Sequence, residues 1–221
     1  MDEVNSPVLI KKGAEANLYV TSWHGRKAVL KRRLPKKYRP DELDEHIRYY
    51  RTLHEPQLMH EAKKAGVPTP KIFLVDSKNT TIVMEFIKGK QVKRLIDELD
   101  ERERKNLCFK IGQLIAKLHS NSLIHGDLTT SNMIIDPQGK VFFVDFGLGE
   151  KNDELEARGV DLHLMKRALE STHYQFAEDC YLSVLNGYRS VVGSKELQNI
   201  SEKIKEIERR GRYVTGRKQE T

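Results

Sequence analysis

The chain has 221 residues, of which 39 are Lys or Arg and 32 are Asp or Glu, so its formal net charge is +7. This length allows one compact unit or two small lobes. A basic surface suits an acidic partner such as nucleic acid, although a well-solvated surface explains the same charge. The acidic start lacks an apolar signal segment, and no run approaches the ~18 apolar residues of a membrane span. We therefore expect a cytoplasmic protein without a membrane partner.

The first ninety residues predict a small, mostly antiparallel sheet with one helical insertion. Apolar and β-branched residues dominate the four expected strands, which are residues 18–21, 27–32, 71–76 and 80–86. Helical composition fills residues 41–65 between the second and third strands. Because a proline clashes with the carbonyl four residues before it, Pro56 predicts either a kink or two helices with a break before it.

From residue 94 the chain is predicted to be mainly helical. One buried stripe with helical spacing is formed by Leu107, Ile111, Leu114, Ile115 and Leu118. Further helices are expected over 160–187 and 194–211, and a hairpin over 133–136 and 141–144. The fold class predicted from these patterns is α+β, with an N-terminal lobe of residues 1–87 and a C-terminal lobe of residues 88–221.

Two cysteines occur in predicted helices of the second lobe. Cys108 and Cys180 are far apart in sequence and lack the close spacing of a metal knuckle or redox pair. We expect both to be core thiols in a reducing compartment.

The sharpest functional motif is His125-Gly126-Asp127-Leu128-Thr129-Thr130-Ser131-Asn132, followed by Asp145-Phe146-Gly147. The pair matches the catalytic loop and metal loop of kinases. Phosphoryl transfer needs one carboxylate near the attacking hydroxyl and other oxygens on a metal. We assign the first role to Asp127, and we assign Asn132 and Asp145 as Mg²⁺ ligands together with the ATP phosphates. Taken singly, each of these residues could merely serve a turn.

An upstream lysine is the candidate contact to the ATP phosphates. Lys31 ends the apolar run Ala28-Val29-Leu30, as in the kinase strand that carries such a lysine. Glu55 and Glu61 are both candidate partners for its charge. Glu55 falls near the middle of the apolar arc of its helix and Glu61 near the edge, which favours Glu55. If Pro56 began the helix, Glu55 would instead be its N-cap residue.

Two further segments are expected to bind the nucleotide. Gly13-Ala14-Glu15-Ala16 stands where a kinase has a glycine-rich loop, and its backbone amides could approach ATP. Glu15 puts a negative charge beside the phosphates, which suggests a gating role. The run from Ile82 to Gly89 suits a strand entering an inter-lobe hinge, where Glu85 and Ile87 could hold adenine through backbone groups.

With these motifs the chain resembles the small atypical kinase subunit of the KEOPS tRNA-modification complex, a relative of the RIO kinases. The matching segments run nearly end to end and include Lys12 to Ala16, Lys31, Lys37-Tyr38-Arg39, Arg51-Thr52 with Glu55, the two motifs above, Val160-Asp161-Leu162 and Arg210-Gly211-Arg212. Arg51-Thr52-x-x-Glu55 in the family pattern supports Glu55 as the partner of Lys31. Pro56 stands where the family usually has alanine.

The resemblance implies a minimal bilobal protein-kinase-like fold with a truncated C-terminal lobe. It implies Ser/Thr autophosphorylation with ATP and Mg²⁺, with Mn²⁺ as a possible substitute, and an ATPase activity. That activity would support threonylcarbamoyladenosine formation on tRNA by a partner synthase, alongside the other KEOPS subunits. Asp161 resembles the residue whose carboxylate pins the catalytic loop from below.

The basic C-terminal tail carries Arg209, Arg210 and Arg212. In the family interpretation it reaches toward the partner synthase or the tRNA backbone in a salt-sensitive contact. A solvated tail is the alternative, because cations also favour the C-terminal end of a helix.

Three other functions are alternatives to that of a KEOPS kinase. These are a RIO-like protein kinase in ribosome maturation, a small-molecule phosphotransferase and a catalytically inactive scaffold or RNA-binding module. Small-molecule phosphotransferases typically carry a His-Pro pair after the catalytic Asp-Leu, where this chain has Thr129-Thr130. Intact Lys31, Asp127, Asn132 and Asp145 argue against an inactive scaffold.

Overall fold

In the computed structural model, the backbone is described for residues 7–216 and the side chains for residues 7–210. The N-terminal part is built on a five-stranded antiparallel sheet with the order β1-β2-β3-β5-β4. Its strands are β1 (Val8–Lys12), β2 (Asn17–Trp23), β3 (Arg26–Arg32), β4 (Ile72–Asp76) and β5 (Thr81–Glu85). The predicted antiparallel sheet is confirmed. The sequence patterns missed β1, because all five of its residues are exposed and no buried face marks it as a strand.

The helical insertion is one helix, α1 (Asp41–Lys64), with Pro56 inside it. The alternative of two helices with a break before Pro56 is therefore wrong. Buried residues lie on both sides of the proline, among them Glu55 and Leu58. Tertiary packing of a buried face contributes more to helix stability than propensity does, which explains why the helix continues through a residue without an amide hydrogen.

The C-terminal part contains four α-helices in the described region, namely α2 (Glu101–Ser120), α3 (Leu155–Thr172), α4 (Ala177–Val192) and α5 (Ser194–Gly216). The predicted stripe of α2 is largely confirmed, since its leucines and isoleucines are buried except for half-buried Leu114. The helical prediction over 160–187 is confirmed except at a turn between His173 and Phe176, which divides the range into α3 and α4. That turn contains no Gly or Pro, so composition alone does not mark it.

Two small sheets connect the helices to the segments that carry the two kinase-like motifs. The three-stranded sheet has the order β6-β8-β9 and contains β6 (Lys90–Gln91), β8 (Met133–Ile135) and β9 (Val141–Phe143). The predicted hairpin is thus present as β8 and β9. The second sheet pairs β7 (Leu123–Ile124) with β10 (Glu150–Lys151). The two motifs of the sequence analysis lie between these short strands.

The core of the C-terminal part depends on close packing between α2 and α4. A Cβ added at Gly112 of α2 would lie 1.9 Å from the carbonyl oxygen of Val184 in α4, so only glycine permits this approach. Cys108 and Cys180 are free and buried on the same two helices, as expected of core thiols. None of the described helices is long and apolar enough to cross a membrane.

Candidate active site

A cavity of about 480 Å³ collects most of the residues singled out in the sequence. Its lining includes the loop Gly13-Ala14-Glu15-Ala16 together with Lys31, Asp127, Asn132 and Asp145. Lys11, Lys12, Leu18, Arg33, Arg51, Gly147 and Leu148 also line it. Glu55 is 1% exposed and lies behind Lys31. The volume falls in the range of small-molecule sites, which is about 300–1,000 Å³.

Lys31 is the buried centre of an ion network that extends from buried Glu55 to half-exposed Asp145. Its Nζ donates to Glu55 Oε1 at 2.8 Å and to Asp145 Oδ1 at 2.7 Å. Of the two glutamates left open by the sequence, Glu55 is therefore the one that pairs with Lys31. Glu61 instead lies 3.7 Å from both Lys64 and Lys151 at the surface.

Arg33 is a member of this network that the sequence analysis missed. Its guanidinium pairs with the second oxygen of Glu55 and donates to Thr52 Oγ1 at 3.3 Å. A signal was available, because side chains two positions apart on a strand point to the same face. Lys31 and Arg33 are both buried, whereas Arg32 between them is exposed.

Asp145 has an unusual backbone conformation and a strongly acidic side chain. Its φ of 66° lies in the left-handed region, which Asp and Asn tolerate better than most residues. Burial alone would raise the pKa of Asp145, but the charge and hydrogen bond of the Lys31 ammonium outweigh it and lower the pKa to about 2. The carboxylate is therefore ionised at neutral pH.

The catalytic loop holds Asp127 and Asn132 side by side. The Asn132 amide nitrogen donates to Asp127 Oδ2 at 2.7 Å and to the Asp127 carbonyl at 3.0 Å. Both bonds use the nitrogen, so the Asn132 amide oxygen stays available as a ligand. Together with the ionised Asp145 carboxylate, this oxygen gives a hard-oxygen donor set at the cavity that fits Mg²⁺.

The beginning of the catalytic loop is held from below by α3. Asp161 accepts the backbone N–H groups of His125 and Gly126, each at 2.9 Å, which confirms its expected pinning contact. His119 lies 3.2 Å from the same carboxylate and also bonds the Tyr188 hydroxyl. Burial lowers the pKa of His125, and its neutral ring accepts the Asp127 N–H at 3.3 Å. The ring thus orients the loop.

Gly126 stands against the short segment that follows Asp145. Its φ is 76°, and an added Cβ would lie 2.1 Å from the carbonyl oxygen of Leu148. Beyond Leu148 the chain pairs as β10 with β7. The segment therefore packs directly onto the catalytic loop and excludes a side chain at position 126.

The comparisons with known proteins agree with this geometry. The protein kinase domain family matches residues 13–181. The KEOPS complex subunit Bud32 of Pyrococcus abyssi is 47% identical over 211 residues, which cover 93% of this chain and 96% of that protein. The chain belongs to the protein kinase family and, within it, to the family of Bud32.

Other relatives extend this comparison. A probable bifunctional tRNA threonylcarbamoyladenosine biosynthesis protein of Methanothermobacter thermautotrophicus is 44% identical over 208 residues, which cover 94% of this chain but 37% of that protein. The Rio2 kinase from Chaetomium thermophilum, solved as an ADP/Mg²⁺-phosphoaspartate complex, matches with a TM-score of 0.64 at 19% identity and covers 93% of this chain and 71% of its own. At this identity the likeness is one of fold.

The kinase glycine-rich loop is replaced here by a turn whose glutamate is paired with two arginines. We call Glu15, Arg39 and Arg51 the clamp. The Gly13 N–H donates to the Ala16 carbonyl at 3.0 Å. The Glu15 carboxylate accepts from Arg39 at 3.1 Å and from Arg51 at 2.9 Å. Its negative charge is therefore compensated within the protein. The sequence alone does not predict that Arg39 and Arg51 pair with Glu15, because the contacts join positions 24 and 36 residues apart.

The two expected hinge residues are not among those lining the cavity. Glu85 is the last residue of β5 and is bonded to Lys71, which precedes β4. Its N–H donates to the Lys71 carbonyl at 2.8 Å, and its carboxylate accepts the Lys71 N–H at 3.0 Å. Adenine contacts at Glu85 and Ile87 stay a prediction.

Substitution of Gly126 tests the contact between the catalytic loop and Leu148. We expect Gly126→Ala to lower the free energy of unfolding by more than ~2 kcal/mol, since the left-handed conformation alone costs roughly 1–2 kcal/mol and the carbonyl clash adds to it. Gly25→Ala is the matched control, because Gly25 has a φ of 73° but open space around it. Urea denaturation measures both variants, and equal losses would contradict the packed contact.

Removal of the Glu15 charge tests the clamp. We expect Glu15→Gln to tighten ATP binding by about threefold or more, because it leaves the Arg51 guanidinium uncompensated at the cavity, whereas Arg39 keeps its ion pair with Asp44 at 3.6 Å. Glu42→Gln, on the exposed first turn of α1, is the control for loss of one acidic charge. Titration with ATP at low and high salt measures the effect, which should shrink as salt rises. Weaker binding by Glu15→Gln would show instead that the clamp builds the site.

Proposed function

We propose that this protein is an atypical Ser/Thr protein kinase and ATPase that acts as a KEOPS subunit in threonylcarbamoyladenosine modification of tRNA. The observation that carries the proposal is the meeting of Lys31, Asp127, Asn132 and Asp145 at one cavity. The family of Bud32 supports the assignment to KEOPS. We also propose that the two lobes divide near residue 87.

In this proposal each residue at the cavity has a separate task. Lys31 contacts the phosphates of ATP, and its bond to buried Glu55 fixes the position of its ammonium group. Asp127 accepts the proton of the attacking hydroxyl or orients a water molecule. Asn132 and Asp145 would hold Mg²⁺, with Mn²⁺ as a second candidate. When bound, the metal neutralises charge on the phosphates.

The acceptor of the phosphoryl group is proposed to be a hydroxyl of a partner, a residue of this chain or water. The segment from Asp145 to Asp161 is short, and its β10 pairs directly with β7. No Ala-Pro-Glu follows Asp145, so a long peptide-docking segment is missing from the sequence. Gly126 also takes the place of the arginine that would read a phosphorylated activation loop.

The proposed partners are the tRNA threonylcarbamoyladenosine synthase, the other KEOPS subunits and tRNA, all in the cytoplasm. Arg209 and Arg210 are exposed near the end of α5. The Arg210 guanidinium pairs with Glu156 of α3, which anchors the start of the tail. The side chain of Arg212 lies outside the described residues. We propose that the tail adds a salt-sensitive contact to tRNA or the synthase.

A RIO-like protein kinase is the second candidate function, because Lys31, Asp127, Asn132 and Asp145 at the cavity would serve any protein kinase. The two candidates differ in whether turnover depends on the synthase and tRNA. A turnover assay with and without both partners, following free phosphate and phosphoprotein together, separates them. Stimulation of phosphate release by the partners supports the KEOPS function, whereas partner-independent phosphorylation of added protein supports the second candidate.

Two substitutions at the cavity test the enzyme assignment. We expect Asp127→Ala to reduce ATP turnover by at least about 10²-fold, the usual contribution of a positioned base. Asp145→Asn should have a comparable effect, because asparagine tolerates the left-handed backbone but lacks the charge for the metal. Exposed Asp153→Asn serves as the control. Turnover is followed with radiolabelled γ-phosphate, and equal rates for wild type and Asp145→Asn would rule out the enzyme assignment.

Removal of the tail tests the proposed contact to the partners. Deletion of residues 209–221 should weaken association with the synthase or tRNA and leave the ATP dissociation constant unchanged. Arg209→Ala should reproduce part of the loss, whereas Lys195→Ala at the opposite end of α5 should not. Filter binding of tRNA at several salt concentrations measures the effect. Unchanged tRNA binding and tRNA-dependent turnover after truncation would contradict the proposal.

A further inference from the structure

A buried histidine outside the nucleotide cavity is bonded through both ring nitrogens. His173, just after the end of α3, lies with Nδ1 2.8 Å from Asp97 Oδ1 and with Nε2 3.1 Å from Thr130 Oγ1. The His173 side chain is fully buried, and Thr130 is 1% exposed. The contacts join segments 76 and 43 positions apart in sequence. They are therefore tertiary contacts that the fold maintains.

The carboxylate fixes the direction of one of these bonds. A carboxylate only accepts, so the Nδ1–H of His173 donates to Asp97. At the other ring nitrogen, Nε2 shares a hydrogen bond with the Thr130 hydroxyl at 3.1 Å. This order, hydroxyl to imidazole to carboxylate, is also that of an activated nucleophile. Burial of Thr130 excludes that use, because its oxygen has no access to a substrate.

Thr130 lies within the catalytic loop, so its bond to His173 holds that loop in place. Thr130 lies in the short 3₁₀ turn Thr130–Asn132, between the two cavity residues Asp127 and Asn132. Gln91 supports the next residue by donating to the Ser131 carbonyl at 2.9 Å. Asp161 holds only the beginning of the loop, at His125 and Gly126. The part that carries Asn132 is held by other contacts, which are Gln91, the Val144 N–H donating to the Asn132 carbonyl at 2.9 Å, and the bond of the Thr130 hydroxyl to buried His173.

We propose that His173 is a positioning residue for phosphoryl transfer, oriented by Asp97 and acting through Thr130 on Asn132 and Asp127. This inference rests on the proposed function of the cavity. We name the three side chains Asp97, His173 and Thr130 the loop anchor. It fixes the Asn132 side chain, whose amide nitrogen bonds Asp127. It thereby sets the distance between the base and the metal ligand.

Helix α3 carries both supports of the catalytic loop. Asp161 lies in its first half, and His173 follows its last residue, with the His173 N–H donating to the Leu169 carbonyl at 2.8 Å. The two residues are twelve positions apart, or roughly 18 Å along a helix. A rigid helix that is bonded to the loop at two places fixes its orientation as well as its position. This also explains why the chain turns at residue 173, where a longer helix would carry the ring away from Thr130.

The test compares isosteric and conservative changes at Thr130 in the full-length chain. Thr130→Val keeps the shape but removes the hydroxyl, and we expect kcat to fall about tenfold or more, since small misplacements of reacting groups are costly. The ATP dissociation constant should change less than twofold. Thr130→Ser restores the hydroxyl and should recover kcat to within about threefold. Thr172→Val, next to His173 but outside the loop anchor, should behave as wild type.

Variants at the other residues of the loop anchor, singly and in combination, distinguish a positioning effect on kcat from a loss of folded protein. Asp97 is 54% exposed, so Asp97→Asn should fold normally and still lower kcat several-fold. His173→Gln should lower kcat, and combining it with Thr130→Val should cost no more than the larger single effect, because both remove one contact. Thermal unfolding of every variant accompanies the kinetics.

Three results would overturn the inference. The first is a wild-type kcat in Thr130→Val. The second is a fall in kcat that only matches the loss of folded protein, without recovery in Thr130→Ser. The third is a wild-type rate in Asp127→Ala, run in the same assay, which would remove the proposed function and this inference with it. An inactive Asp127→Ala beside an unaffected Thr130→Val would reject the loop anchor alone.

Discussion

The site depends on the burial of two cations that need compensation inside the protein. Lys31 on β3 and Arg33, the residue just after β3, are both buried, and their side chains are 6% and 2% exposed. Glu55 lies between them and binds both, while Asp145 supplies the second carboxylate. Removing one partner of such a buried group strands the other charge at a cost of about 3–5 kcal/mol. The sheet, α1 and the segment after β9 are therefore held in one arrangement by charge balance.

The residues that meet at the cavity could be predicted because the chemistry proposed for them demands particular residue types at short spacing. Asp127, Asn132 and Asp145 follow one another along a loop and a hairpin, so local sequence brings them together. The ion pair of Lys31 with Glu55 was also accessible, through the apolar arc of the helix. Arg33 could have been found from strand alternation.

The features that sequence analysis missed are set by tertiary contacts. The two arginines that pair with Glu15 lie 24 and 36 positions away, and their spacing in the sequence does not predict these contacts. The turn after α3 has no Gly or Pro to mark it in the sequence, and it places His173 against Thr130, 43 positions away. At Pro56 the sequence left a kink or a break open, and the break is excluded because buried packing on both sides of the proline outweighs a local helix breaker.

The central claim is that Lys31, Asn132 and Asp145 together hold Mg²⁺ and ATP beside Asp127. A crystal structure with Mg²⁺ and a non-hydrolysable ATP analogue tests it most directly. We expect a metal ion bound by oxygens of Asn132 and Asp145 at about 2.0–2.1 Å, with Lys31 Nζ against the phosphates. A nucleotide bound outside this cavity, or a metal ion that contacts neither Asn132 nor Asp145, would contradict it.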